Sequence, residues 1–130
     1  MATKGFEVMK LAIVGSRTFT DKAFMMKQLM EWKVEYGSDL AVVSGGAKGA
    51  DSIAESLAWF MDIPVIIYKP DWKKFGKQAG YLRNVKIVEA ADALLAFYGP
   101  EGESKGTAHS VSLARQKGIP VSIFYQQEGT

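Results

Sequence analysis

Residues 40–61 read LAVVSGGAKGADSIAESLAWFM: an apolar run, three glycines within five positions, and an amphipathic segment. The apolar run is short and continuous, which is typical of a strand buried on both faces of a parallel sheet. From Ala50 to Met61, apolar side chains recur at the spacing of one helical face. This stretch predicts a β-strand that passes into an α-helix through a glycine-rich turn, here called the first glycine loop (residues 44–51).

The same alternation continues along the chain. Short apolar runs lie at Met9–Val14, Leu40–Val43, Val65–Tyr68, Ala93–Phe97 and Val121–Phe124. Helical patterns lie between them at about 21–36, 50–61, 77–90 and 107–117, the last with Thr107 as its N-cap. Strands that alternate with helices imply right-handed crossovers. We therefore predict an α/β fold, a doubly wound sandwich of about five mainly parallel strands with helices on both faces.

Composition favours one domain over residues 1–130, with a core at about 9–125 and loose tails. The chain is 48% hydrophobic and 23% charged with a net charge of +2, which excludes a disordered chain and a strongly basic one. It has no cysteine and one histidine, so we expect no metal site, and we expect no cofactor. Neither a signal peptide nor a long apolar run is visible, so we expect a cytoplasmic protein without a membrane partner.

In a doubly wound fold, ligands bind at the carboxyl edge of the sheet, where strands lead into helices. Glycine and polar residues follow four of the predicted strands, at 15–17, 44–51, 70–72 and 98–107. The candidate ligand-binding residues are Gly15, Ser16, Arg17, Ser44, Gly45, Gly46, Ala47, Gly49, Ala50, Asp51, Asp71, Trp72, Arg83, Asn84, Ser104, Gly106 and Thr107.

These residue types fit a phosphorylated ligand. Glycine lets backbone N–H groups approach an anion, and the N-terminus of the following helix favours negative charge. Both features occur in the first glycine loop and in a second glycine loop (residues 99–107). A turn with positive φ is an alternative explanation, but it would account for only one glycine of the first glycine loop. Arg17 suits an anion, with an exposed surface arginine as the alternative. Trp72 either stacks on a base or packs at the rim, and Asp51 either caps its helix or contacts the ligand.

Six motifs carry a resemblance to a known family: GSR at 15–17, SGGAKGAD at 44–51, PDW at 70–72, AGYLRN at 79–84, AD at 91–92 and SKGT at 104–107. In this order, across about residues 9–125, they resemble the YspA-like branch of the SLOG superfamily. Its relatives include the LOG (lysine-decarboxylase-like) and DNA-processing DprA proteins. The resemblance implies a Rossmann-like domain that binds a nucleotide or nucleotide-derived ligand, as a sensor or processing module in bacterial or phage systems.

Two alternatives remain open, and no catalytic residue is assigned. LOG enzymes hydrolyse nucleotides with a glutamate that falls at Ser110 here, so we expect such activity to be weak or absent unless Asp51 or Asp71 substitutes. Single-stranded DNA binding, as in the DNA-processing relatives, is disfavoured by the near-neutral charge and a single stacking candidate. The Met25-Met26-Met30 group indicates either core or the dimer face of a homo-oligomer.

Overall fold

The structure is a computed structural model, and it describes residues 7–127. Five strands form one parallel sheet in the order β3-β2-β1-β4-β5. The strands are β1 (Met9–Gly15), β2 (Leu40–Ser44), β3 (Val65–Ile67), β4 (Ala93–Tyr98) and β5 (Val121–Tyr125). The prediction of a five-stranded parallel sheet is confirmed.

Helices cover both faces of the sheet, as predicted. They are α1 (Lys22–Tyr36), α2 (Ala50–Phe60), α3 (Trp72–Phe75), α4 (Ala79–Ala90) and α5 (Lys105–Lys117), with 3₁₀ turns at 37–39 and 76–78. Helices α1 and α2 contribute to the core on one face, while α4 and α5 contribute to the core on the other. Every residue of β2 and β4 is buried, which explains why their sequences are continuously apolar rather than alternating. No helix in the described part of the chain is both long and apolar enough to span a bilayer.

Two helix starts differ from the sequence prediction. The sequence places Asp71 and Trp72 at the exit of a strand, but β3 stops at Ile67 and Trp72 begins the short helix α3, which was not predicted. The Asp71 carboxylate caps α3 by accepting a hydrogen bond from the Lys74 N–H at 3.1 Å. A four-residue helix is too short to leave a periodic apolar pattern, so the sequence could not reveal it.

Helix α5 begins at Lys105, two residues before the predicted start, and Ser104 rather than Thr107 is its N-cap. The error arose because both residues are good N-caps and no apolar residue marks the first turn.

Gln126 was assigned to a loose C-terminal tail, and that prediction was wrong. Its side chain is buried, it accepts a hydrogen bond from the Thr20 N–H at 2.8 Å, and it donates one to the Thr20 hydroxyl at 2.9 Å. The remaining tail predictions at residues 1–6 and 128–130 lie outside the described residues. In the methionine group, Met25 is core, whereas Met26 and Met30 are exposed.

The strand order reverses between β1 and β4. The chain leaves β1 towards β2 and β3 on one side, and it later adds β4 and β5 on the other. The carboxyl ends of the two central strands are in register, with Gly15 opposite Phe97. Because the connections diverge at this point, they leave a crevice above these two strand ends.

Candidate functional site

A cleft of about 360 Å³ opens at the carboxyl ends of β1 and β4, where the strand order reverses. Its volume lies within the usual range of small-ligand pockets, which is roughly 300–1,000 Å³. The candidate residues that line it are Gly15, Ser16, Arg17, Ala47, Asp51, Arg83, Asn84, Ser104, Gly106 and Thr107. The fold thus brings together side chains from four separate segments of the sequence.

The other candidate residues do not line this cleft: Ser44, Gly45, Gly46, Gly49, Ala50, Asp71 and Trp72. The Ser44 hydroxyl donates a hydrogen bond to the Glu55 carboxylate at 2.6 Å, beneath the first glycine loop. A Cβ on Gly46 would face Ile67 and Lys69 rather than the cleft.

Internal packing explains two glycines of the first loop. Gly49 has a φ of +79°, and a Cβ there would lie within 3.0 Å of the carbonyl oxygens of Ser16 and Arg17. A Cβ on Gly45 would lie 2.7 Å from the Arg83 guanidinium and 2.9 Å from the Asp51 carboxylate. At Gly49 the backbone itself therefore excludes a side chain, whereas a Cβ at Gly45 would require the Arg83 and Asp51 side chains to shift.

Asp51 lies in the first turn of α2, and its carboxylate turns back into the first glycine loop. It accepts a hydrogen bond from the Ala47 N–H at 3.2 Å and is 6% exposed. Burial raises the pKa of Asp51 to about 6, against the opposing effects of the Ala47 N–H and the Arg83 charge. The N-terminus of α2 therefore already has a carboxylate from its own chain.

Arg83 and Asn84 tie α4 to both glycine loops. The Arg83 guanidinium donates to the Gly45 carbonyl, and its Nε donates to Asn84 Oδ1 at 2.9 Å. The Asn84 amide in turn donates to the Gly106 carbonyl at 3.3 Å and lies 3.2 Å from His109 Nδ1. Both side chains hold the walls of the cleft in place.

The N-terminus of α5 is open, in contrast to that of α2. Ser104 makes no capping hydrogen bond to the helix backbone; its hydroxyl donates to the Thr107 hydroxyl at 3.0 Å instead. The first turn contains Lys105 and no acidic residue. A Cβ on Gly106 would meet no atom within 4 Å, so the fold does not require glycine at this position. Free N–H groups at a helix N-terminus are a ready site for an anion.

Ser16 has the one buried side-chain polar atom that lacks a hydrogen-bond partner within residues 7–127. The residue is 3% exposed and lines the cleft. Its backbone is fixed, because its N–H donates to the Phe97 carbonyl at 2.9 Å and its carbonyl accepts from the Ala50 N–H at 3.1 Å. A buried hydroxyl without a partner is costly, and it points to a group that is supplied from outside the chain.

Three polar residues of the cleft were missed as candidates: Thr18, Glu101 and Ser110. The Thr18 hydroxyl donates to the Glu101 carboxylate, and this hydrogen bond lowers the pKa of Glu101. The sequence does not reveal this pair, because Thr18 and Glu101 are 83 residues apart in the chain. Ser110 lines the cleft and is buried in α5.

The cleft contains two cationic side chains, Arg17 and Arg83, and two carboxylates, Asp51 and Glu101. The pKa of Arg83 is lowered mainly by burial and further by the Arg17 charge, although Asp51 opposes both effects. Among the described residues, none forms a hydrogen bond or ion pair with the Arg17 guanidinium. No group of three or more metal-ligand side chains lies close enough to hold an ion within residues 7–127.

Two solved structures share this architecture. One is DNA processing protein A from Helicobacter pylori, described with a single-stranded DNA binding mode, with a TM-score of 0.70 and 19% identity over 99% of this chain and 71% of that one. The other is DprA from Streptococcus pneumoniae, with a TM-score of 0.55 and 18% identity over 88% of this chain and 58% of that one. At these identities the likeness shows the Rossmann-like fold.

Sequence comparison gives a nearer relative, the Gene 61 protein of Mycobacterium phage D29. It is 40% identical over 121 residues, which cover 88% of this chain and 95% of the phage protein. The family model of the YspA, cpYpsA-related SLOG family matches residues 9–75, which include β1, the first glycine loop and α3. Together these matches establish that the chain belongs to the YspA, cpYpsA-related SLOG family.

Proposed function

We propose that the cleft binds the phosphate group of a nucleotide or nucleotide-derived ligand. The observation that carries the proposal is the buried Ser16 hydroxyl, which has no partner and lines the same cleft as the open N-terminus of α5. A phosphate oxygen would accept a hydrogen bond from this hydroxyl and others from the backbone N–H groups at Gly106 and Thr107.

Arg17 supplies charge to the same ligand. Its guanidinium is exposed, and its charge acts on Arg83, which also lines the cleft. Two cations that repel each other across a cleft are stabilised when an anion lies between them. Because Arg83 is already paired with the first glycine loop, Arg17 is the more available cation for the phosphate.

The remainder of the ligand lies on the Asp51 side of the cleft. A carboxylate repels a phosphate but accepts hydrogen bonds from sugar hydroxyls or from the amino group of a base. Glu101, the other carboxylate of the cleft, accepts a hydrogen bond from the Thr18 hydroxyl. The Asp51 wall therefore suits hydroxyl or amino donors, which favours a nucleotide over inorganic phosphate.

Calorimetric titration with nucleoside 5′-monophosphates and the matching nucleosides tests this function. The monophosphates should bind at least tenfold more tightly, because a charge-assisted hydrogen bond contributes about 1.5–3 kcal/mol. Arg17→Ala should weaken monophosphate binding by about tenfold to a hundredfold. Lys48→Ala, which removes a cation from the first glycine loop outside the cleft, should leave it unchanged. Equal affinities in wild type and Arg17→Ala would overturn the assignment of Arg17.

Mass spectrometry would then identify the natural ligand. Small molecules released from the heat-denatured protein after purification should include a phosphorylated nucleotide derivative. Recovery of only unphosphorylated compounds would contradict the proposal.

Asp51 favours a second candidate function, hydrolysis of the bound nucleotide. A buried carboxyl group with a pKa of about 6 can exchange a proton near neutral pH, which is what a general acid or base requires. Asp71 lacks this environment, because it caps α3 outside the cleft. Incubation with nucleoside monophosphates, followed by chromatography, would reveal free base or phosphate. Release that is lost in Asp51→Asn would support the enzyme, whereas intact nucleotide would leave binding as the function.

A further inference from the structure

A cationic and aromatic surface lies beside the cleft, on α3 and the start of α4. Residues 69–83 contain five cationic side chains and one carboxylate, whereas the whole chain has a net charge of only +2. That carboxylate, from Asp71, is engaged in capping α3. Positive charge is therefore concentrated in this segment, which we call the α3 surface.

Three aromatic side chains are interleaved with these cations. Trp72, Phe75 and Tyr81 are 55%, 40% and 51% exposed. None of the three belongs to, or packs against, either of the two apolar core clusters. The Lys74 ammonium lies over the Phe75 ring, 5.2 Å from its centroid. Large aromatic rings that remain exposed next to lysines provide both stacking and charge to a partner.

The α3 surface is connected to the wall of the cleft. The Trp72 ring lies against the first turn of α4, where a Cβ on Gly80 would be 3.6 Å from it. The next residue, Tyr81, makes an edge-on contact with His109 at 4.8 Å between ring centroids. His109 adjoins Asn84, which lines the cleft.

We propose that the α3 surface binds single-stranded nucleic acid, with bases stacked on its aromatic rings and phosphates paired with its lysines. Exposed rings have π-faces that stack on any base, and the lysines release counterions from the backbone phosphates. Duplex DNA hides its bases from such rings, so the surface should prefer a single strand. This binding does not require the proposed phosphate site in the cleft.

The test measures fluorescence anisotropy of a labelled dT12 oligonucleotide with the full chain at several salt concentrations. Wild type should bind dT12 more tightly than a duplex of equal length, and added salt should weaken the binding. Trp72→Leu should reduce affinity by about fivefold to a hundredfold, because base–aromatic stacking is lost. Trp59→Leu, which alters an 81% exposed tryptophan on α2, is the matched control and should bind as wild type does.

The charge test compares two double variants with the same change in net charge. Lys73→Gln with Lys77→Gln should lower the slope of log affinity against log salt by about 1.4. Lys22→Gln with Lys27→Gln, on the exposed side of α1, should leave the slope unchanged. Equal losses in both pairs would mean that net charge alone attracts the oligonucleotide, and they would overturn the proposal.

Nucleoside monophosphate titrations separate this proposal from the function of the cleft. The α3 variants should bind monophosphates as wild type does, whereas Arg17→Ala should not. If wild type fails to bind dT12, or binds the duplex equally well, the α3 surface is not a single-strand site, whatever the cleft binds.

Discussion

The two glycine loops look alike in the sequence but differ in the structure: the first is filled by its own chain, and the second has open space at Gly106. Both follow a buried strand and end at the N-terminus of a helix. The first loop is filled by its own chain, because Gly49 lies against the carbonyl groups of residues 16 and 17 and the Asp51 carboxylate occupies the loop itself. The second loop leaves open space at Gly106 and an uncapped helix.

A glycine-rich turn therefore indicates a ligand only where internal contacts do not already require its glycines. The three glycines of the first loop are the more conspicuous motif, yet backbone contacts account for Gly49 and neighbouring side chains surround Gly45. The second loop also has three glycines, and among them Gly106 has neither a close contact nor a positive φ. A glycine in a helix costs about 0.5–1 kcal/mol relative to alanine, which indicates a reason outside the chain.

The largest change in stability is expected for a substitution at Gly49, in the first glycine loop. Gly49→Ala should destabilise the protein by about 3 kcal/mol or more, because it combines a glycine-only backbone conformation with a clash against carbonyl oxygens. Urea unfolding of the protein without ligand would measure the loss. A variant of wild-type stability would contradict the view that the chain itself requires this glycine.

The second effect concerns the carboxylate inside the first loop. Between about pH 4 and 6 the folded protein retains a proton on Asp51 that the unfolded chain has released, so the free energy of unfolding falls as pH rises. A pKa shift from 3.8 to about 6 corresponds to a loss on the order of 3 kcal/mol, which levels off only above about pH 7.

Urea unfolding of wild type and Asp51→Asn across pH 4–7.5 isolates this contribution. Relative to wild type, the variant should gain stability as pH rises through the window. Glu31→Gln, at an exposed position on α1, should run parallel to wild type. Parallel curves for Asp51→Asn and wild type would mean that the carboxylate is not held in a buried site.

A smaller change in stability, of opposite sign, is expected for a substitution at Gly106, in the second glycine loop. Gly106→Ala should raise stability by about 0.5–1 kcal/mol, since its Cβ meets no atom and alanine is the better helix former. The same methyl group should weaken monophosphate binding about tenfold or more, if it displaces a phosphate oxygen from a charge-assisted hydrogen bond. Thermal unfolding and calorimetric titration together would check both signs. Unchanged affinity would show that no ligand approaches this glycine.

The sequence predicted the fold well because its signals are local. Continuous apolar runs mark β2 and β4, and the amphipathic pattern from Ala50 marks α2. The short helix α3 has no such signal. Gln126 could not be placed either, because its partner Thr20 is 106 residues away.

The candidate site was predicted in outline, since strand exits in a parallel sheet meet at one edge. The roles within it depend on contacts that only the structure reveals. Asp71 was a plausible ligand contact in the sequence and is a helix cap in the structure. Thr18 and Glu101 were missed because their mutual hydrogen bond joins two loops that are distant in the chain.

The Ser16→Ala variant shows whether the buried Ser16 hydroxyl binds a ligand or serves the fold. If the hydroxyl is reserved for a ligand, its removal should leave the unliganded protein as stable as wild type or more stable, because a buried unpaired hydroxyl costs about 1–3 kcal/mol. Monophosphate affinity should fall about tenfold or more. The measurement is the Kd by calorimetry together with the free energy of unfolding without ligand. Lower stability with unchanged affinity would show that the hydroxyl serves the fold alone and binds no ligand.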